Sequence, residues 1–432
     1  MLPTPSAVLR SYLPLPATPG PPSPRLNRMT LVLTNVRPWG GDATDVTLDG
    51  GAVTAVGPSA LDGAASPGAD AVDGRGRILL PSFSDVHVHL DSTRLGLPFR
   101  PHTGSPGLWN MMLNDRRNWR DAEASITERA THTLGAMIER GTTRVRSYAQ
   151  VDPDAGLERF EAVLAARETH RDRADVAVIA FPQAGLLREP GSAEVLEEAL
   201  KLGADVVGGI DPCALDRDPV RHLDIVFGLA EKYGLPVDIH LHEPGQLGLF
   251  STQLILDRTK ALGMQGLVTI SHAFCLAELP AGELQELIGQ MGALDVSVAT
   301  VAPAGWPLPL QQLVAAGVRV GLGEDGQRDY WSPYGNADML DRTWQLAFTN
   351  KFRADDLIEH CAAVATIGGA SVIDPRAQRL GSVADRPGLA VGDPAELVLL
   401  EGDSVTAAVM DRLPGRTVIH RGRVVADGLQ LV

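Results

Sequence analysis

At 432 residues, with 44% hydrophobic and 21% charged residues, the chain has the composition of a large folded enzyme rather than a fibrous or disordered protein. Its formal charge of −15 makes a surface that repels phosphate backbones and anionic lipid, so nucleic acid and membranes are not expected partners. Three cysteines (Cys213, Cys275, Cys361), none in a Cys-x-x-Cys pair, argue against a disulfide framework and for a reducing, cytoplasmic compartment.

Residues 1–27 are Pro-rich and lack the apolar core of a signal peptide; a loose tail is expected, with Met29 available as an alternative start. No apolar run is read as reaching the roughly 18 residues that cross a bilayer. Residues 28–81 read as short strands between Gly and Asp turns, with candidates at 31–33, 46–48 and 53–56. Residues 82–380 alternate apolar strands with helical stretches. Eight strands are marked, at 82–89, 143–150, 175–182, 204–210, 235–241, 266–272, 294–300 and 317–325. Most are rich in Val, Ile and Ala, as parallel strands buried on both faces should be. Eight such units predict a (β/α)8 TIM barrel, an α/β fold with its chemistry at the C-terminal ends of the strands. A doubly wound open sheet is the alternative, but no Gly-x-Gly-x-x-Gly follows any strand. Residues 381–432 return to strands at 395–400, 416–420 and 424–428. The two β-rich ends are expected to meet in one small sandwich domain.

The strand ends test this reading. Val86, Val88 and Leu90 alternate with Asp85, His87, His89 and Asp91, so the two histidines share a strand face, as a pair of metal ligands would. Gln183 ends the third strand, His240, His242 and Glu243 the fifth, His272 the sixth and Asp325 the eighth. Histidines are thus concentrated where barrel chemistry belongs. Spacing alone does not choose between His240 and His242 as ligand. His242 is expected to hydrogen-bond a neighbour, and Glu243 stands where a carboxylate can reach a water on the metal. Glu324 should face away from Asp325 and be structural.

These residues resemble the metal-dependent amidohydrolase superfamily, in its cytosine deaminase-like branch. The resemblance spans roughly 28–432. It rests on His87-Val88-His89-Leu90-Asp91, Ala180-Phe181-Pro182-Gln183, His240-Leu241-His242-Glu243, Ser271-His272, and Asp325 with the following stretch from Trp331 to Leu340. It implies that His87, His89, His240 and Asp325 bind one divalent ion, Zn2+ or Fe2+. It further implies that Asp325 and Glu243 move protons, that His272 orients the activated water, that Gln183 binds the substrate's amide edge, and that Trp331 lines the pocket. The expected reaction is hydrolytic deamination of a small N-heterocycle by a metal-activated hydroxide. Two-metal relatives carry a lysine at the end of strand four; here 204–212 has none, so one metal is expected. Asp211, the nearby acid, is read as a turn former before Pro212.

Three departures bear on substrate. The branch's second acid, directly after the metal-binding aspartate, is Gly326 here, which removes an acceptor and opens space. Tyr148 and Gln150 stand where the branch often has His and Asp. Ser82 replaces a glycine, a change expected to touch only backbone geometry. The ring recognised is therefore expected to be a substituted or isomeric pyrimidine, a triazine or another cyclic amidine. Removal of an alkylamine from a ring, opening of a cyclic amide, and a catalytically inactive binding protein stay as alternatives. Phe274, Trp306, Tyr330 and Trp331 are candidate pocket aromatics. Oligomeric state, a homo-oligomer included, is left open.

Overall fold

The computed structural model describes residues 30–57 and 70–432; the expected tail at 1–27 and the alternative start at Met29 lie outside the described residues. The described residues open with β1 (Leu31–Pro38), β2 (Thr44–Asp49), β3 (Ala52–Val56), β4 (Asp70–Asp73) and β5 (Ile78–Pro81). Eight parallel strands follow: β6 (Phe83–Val88), β7 (Thr142–Gln150), β8 (Asp175–Phe181), β9 (Val206–Ile210), β10 (Val237–His240), β11 (Val268–Ser271), β12 (Ser297–Thr300) and β13 (Val320–Leu322). They pair in sequence order, each neighbour separated by at least one helix, as the eight-unit pattern predicts.

The barrel closes where β13 runs on beside β6, through a parallel bridge between Val88 and Asp325. Sequence chemistry permits this approach. A Cβ on Gly321 would lie 2.6 Å from Val86 Cγ1, and one on Gly323 would lie 2.6 Å from the carbonyl oxygen of His87. Only glycine lets the last strand pass so near the first.

Several helices start at a capping side chain. Ser125 and Glu128 form a reciprocal capping box ahead of Ile126–Glu139. Asp218 caps Pro219–Tyr233, whose proline stands at the start and whose Gly234 stops it at φ 65°. Continuous helix from Asp355 to Ile373 is long and apolar enough to cross a bilayer by length and composition, contrary to the sequence reading. It is mostly buried against the barrel, so its apolar face is core.

The chain ends in β14 (Leu397–Leu400), β15 (Arg416–His420), β16 (Arg423–Asp427) and β17 (Gln430–Leu431). β14 pairs antiparallel with β5, so strands from both ends share one nine-stranded sheet. The sheet folds over its own core. Leu31, Leu33, Val46 and Leu48 pack with Leu79, Leu397, Leu399 and Ile419, all buried. Each such side chain contributes about 1.5–3 kcal/mol by leaving water. Two polar links tie sheet to barrel. The buried Arg416 guanidinium forks onto the Asp338 carboxylate with both contacts at 2.7 Å. Ser82 is more than a backbone substitution: its hydroxyl meets Thr143 Oγ1 at 2.6 Å, and Thr143 in turn donates to Glu396.

Candidate active site

The C-terminal ends of the barrel strands converge on a cavity of about 120 Å³. Its wall includes His89, Gln183, His240, His272, Asp325 and Trp331. His87 lies just below, fully buried. His89 Nε2 is 3.5 Å from Asp325 Oδ1 and 3.4 Å from His240 Nε2, and His87 Nε2 is 3.7 Å from the same carboxylate oxygen. Candidate ligand atoms of His87, His89 and His240 all lie within 4.8 Å of one another, as do those of His87, His272 and Asp325. Strand alternation explains the first pair; barrel closure brings the last strand's acid to it.

Burial pushes His87, His240 and His272 well below the ordinary imidazole range, and the neighbouring imidazoles add to the effect. They are neutral at physiological pH, with lone pairs to offer. Both ring nitrogens of His87 are buried without a hydrogen-bond partner among the described residues. That costs free energy in a dry site unless a ligand uses the lone pair. The imidazoles of His87, His89 and His240 with the Asp325 carboxylate form a donor set that fits a divalent transition metal. The backbone is held in sparsely populated conformations at two of these positions, with φ 68° at His272 and 62° at Asp325.

His242 points into the cavity while His240 joins the cluster. The His242 ring Nδ1 is 2.7 Å from Asp211 Oδ2, and its backbone N–H donates to Asp211 Oδ1 at 2.7 Å. Burial alone would lower the His242 pKa, but the Asp211 carboxylate prevails and raises it. Asp211 therefore does more than turn the chain: it holds the ring proton of His242 on Nδ1. His242 and His272 face each other with ring centroids 4.3 Å apart.

Glu243 is not part of the cavity wall. Its Oε1 accepts the backbone N–H groups of Cys213 and Ala214, both at 2.7 Å, and Ser251 donates to Oε2. Burial raises its pKa despite these donors. Tyr148 lies fully buried beneath the histidines, its hydroxyl 2.8 Å from Ser271 Oγ and its ring centroid 4.3 Å from that of His87. It packs against the rings of His87 and His240 and does not line the cavity. Gln150 does reach the cavity and donates to Asp152 at 2.6 Å. Of the candidate aromatics, Trp331 lines the cavity, Phe274 stacks on Trp306 beside His272, and Tyr330 belongs to a second, outer cavity of about 320 Å³. Glu324 points away from the cluster, as expected, with Oε2 bonded to Gln327 Nε2 at 2.9 Å.

Sequence reasoning missed Asp329. Its carboxylate forms part of both cavities and is bonded by Ser92 and by the backbone of Trp331 and Ser332. Its signal was slight: an Asp two residues before Trp331 reads as a turn former. A further group, Asp175, Glu396 and His420, sits at the opposite end of the barrel. The Arg421 guanidinium pairs with Asp175 while its backbone N–H donates to Glu396, which makes the group a polar junction between sheet and barrel.

A family model described as the amidohydrolase family matches residues 106–426. The chain is 29% identical over 365 residues to N-isopropylammelide isopropyl amidohydrolase of Pseudomonas sp. (strain ADP), covering 82% of this chain and 88% of that one. Among solved structures, N-isopropylammelide isopropylaminohydrolase from Burkholderia multivorans superimposes with a TM-score of 0.85 and 40% identity, covering 94% of this chain and 100% of that one. The 5-methylcytosine deaminase from Klebsiella pneumoniae gives 0.75 and 25%, over 92% and 97%.

Proposed function

The chain belongs to the amidohydrolase family, and on that premise we propose that it removes an amino substituent hydrolytically from a small N-heterocycle, a pyrimidine or triazine. The observation that carries this reading is the convergence of His87, His89, His240 and Asp325 at and just below one small cavity that Gln183 also lines. His87, His89, His240 and Asp325 would hold one Zn2+ or Fe2+. When bound, such an ion lowers the pKa of water toward roughly 7 and supplies the nucleophile. The strand that ends at Ile210 offers no lysine, which favours one ion over two.

The chain's own residues do the rest. Gln183 presents an amide donor and acceptor, the pattern that reads a lactam edge. Asp325, at the cavity, takes up a proton while its backbone stays fixed by the barrel. Glu243 carries a proton to a ring nitrogen after leaving Ser251, and burial favours its protonated form. His272, across from His242, orients the reacting water. Trp331 closes the cavity over the ring.

A second reading keeps the chemistry and changes the leaving group from ammonia to an alkylamine. It is favoured by the outer cavity, which shares Asp329 with the inner one and has room for a substituent. One experiment separates these readings. Zinc- or iron-loaded protein is incubated with amino- and alkylamino-substituted pyrimidines and triazines, and products are identified by mass. Replacement of NH by O, with ammonia or alkylamine released, supports the proposal. Addition of a whole water would mean ring opening, and no turnover alongside an equally silent Glu243→Gln control would point to a binding protein.

A further inference from the structure

Gly326 follows Asp325 directly, and from the sequence it opens space and removes a carboxylate from beside the cluster. The structure fills that space from three residues further on. A Cβ placed on residue 326 would lie 2.9 Å from Asp329 Cγ and 3.1 Å from its Oδ1, inside contact distance. Any side chain at 326 would displace the Asp329 carboxylate, so the glycine and the aspartate form one arrangement.

The carboxylate is held at three points. Oδ1 accepts the backbone N–H groups of Trp331 at 2.8 Å and Ser332 at 2.9 Å. Oδ2 accepts the Ser92 hydroxyl at 3.0 Å. Ser92 comes from the loop after β6 and Asp329 from the loop after β13, so the pair also spans the closure of the barrel. An ionised carboxylate offers about four lone-pair directions, and three are taken. The residue is 8% exposed, and what it exposes lines the catalytic cavity and the outer one. A group locked by its neighbours with one acceptor site left is built for reading a ligand.

We propose that Asp329 is a specificity-determining residue, its carboxylate accepting a hydrogen bond from an N–H on the substrate ring or its amino substituent. This rests on the heterocycle reading above and narrows it. The substrate must carry a donor on the edge that Asp329 meets, in addition to the edge read by Gln183. An N-alkylated ring lacking that donor would leave the fourth acceptor site of the carboxylate unfilled. Burial pushes the Asp329 carboxyl up to about 7, against the pull of its two backbone donors.

Zinc-loaded protein is titrated with cyanuric acid, whose ring N–H groups are donors, and with its N,N′,N″-trimethyl derivative. Wild type, Asp329→Asn and Ser92→Ala are compared, with zinc content and thermal midpoint recorded for each. Asp329→Asn keeps the shape and should weaken cyanuric acid by about tenfold or more while leaving the trimethyl ring within about twofold. Ser92→Ala loosens the carboxylate and should shift binding the same way by about threefold, which keeps the test alive if the Asn variant fails to fold. Equal changes for both rings, or no change for either, would overturn the role of Asp329 alone. If wild type bound neither ring, the heterocycle reading would fall with it.

Discussion

Asp325 donates its backbone N–H to the carbonyl oxygen of His87 at 2.7 Å, and its own carbonyl receives the N–H of His89 at 3.3 Å. The first and last barrel strands are thus clasped at the point where three of the proposed ligands project. Ligand geometry and barrel closure are one event. Gly323 sits under this clasp, where an added Cβ would meet His87 backbone and Cβ. Gly323→Ala should cost about 1–3 kcal/mol by overpacking. It should also weaken zinc affinity, read by competition with a chelator, whereas alanine at the exposed Gly289, where an added Cβ meets nothing, should do neither.

Asp211 and His242 make a testable pair. The partner raises the His242 pKa, so the stability it gives is fully present below the free imidazole value of about 6.5 and is lost as pH rises through the raised value. Asp211→Asn should therefore lower the melting temperature more at pH 6 than at pH 9. Activity should fall about tenfold or more as the imidazole loses its fixed tautomer. Equal destabilisation at both pH values would show that the pair is not ionic.

Beneath the cluster, Asp85 and Glu324 are buried together, each with one carboxylate oxygen lacking a partner among the described residues. Burial raises both, Glu324 to about 7, with Arg342 pulling the other way. A raised acid stabilises below its ordinary pKa of about 4.5 and loses that contribution as pH climbs through about 7. Glu324→Gln should be close to neutral at pH 5 and stabilising by about 1–3 kcal/mol at pH 8. Urea denaturation at the two pH values measures the difference.

Arg416 anchors the terminal sheet to the barrel through Asp338 and the carbonyl of Arg140. Arg416→Ala leaves a largely buried carboxylate without its cation and should cost about 3–5 kcal/mol. Replacement of both partners, Arg416→Met with Asp338→Asn, should recover part of that loss. A double-mutant cycle in urea reports the coupling.

The eight barrel strands were legible because buried parallel strands read as Val- and Ile-rich runs, and the strand-end histidines because alternation puts His87 and His89 on one face. Short or polar strands were not. β4 is Asp-Ala-Val-Asp, and β5 is divided from β6 by Ser82 alone. Continuous helix over 355–373 escaped because its charged residues interrupt the apolar run. At the site, local pattern located the strand ends but not where each side chain turns. Glu243 follows His242 in sequence yet bonds the loop after β9, Asp211 reaches across to the neighbouring strand, and Asp329 supplies a carboxylate that position 326 lacks. Each of those depends on contacts between separate units, which spacing along one chain does not encode.

The most direct measurement is the metal content of purified protein loaded with Zn2+ or Fe2+ and freed of excess, by inductively coupled plasma mass spectrometry. Wild type should hold one equivalent per chain, and His87→Ala, His240→Ala and Asp325→Ala should each lose it while remaining folded by circular dichroism. Two equivalents per chain, or full retention in any of those three variants, would contradict the account.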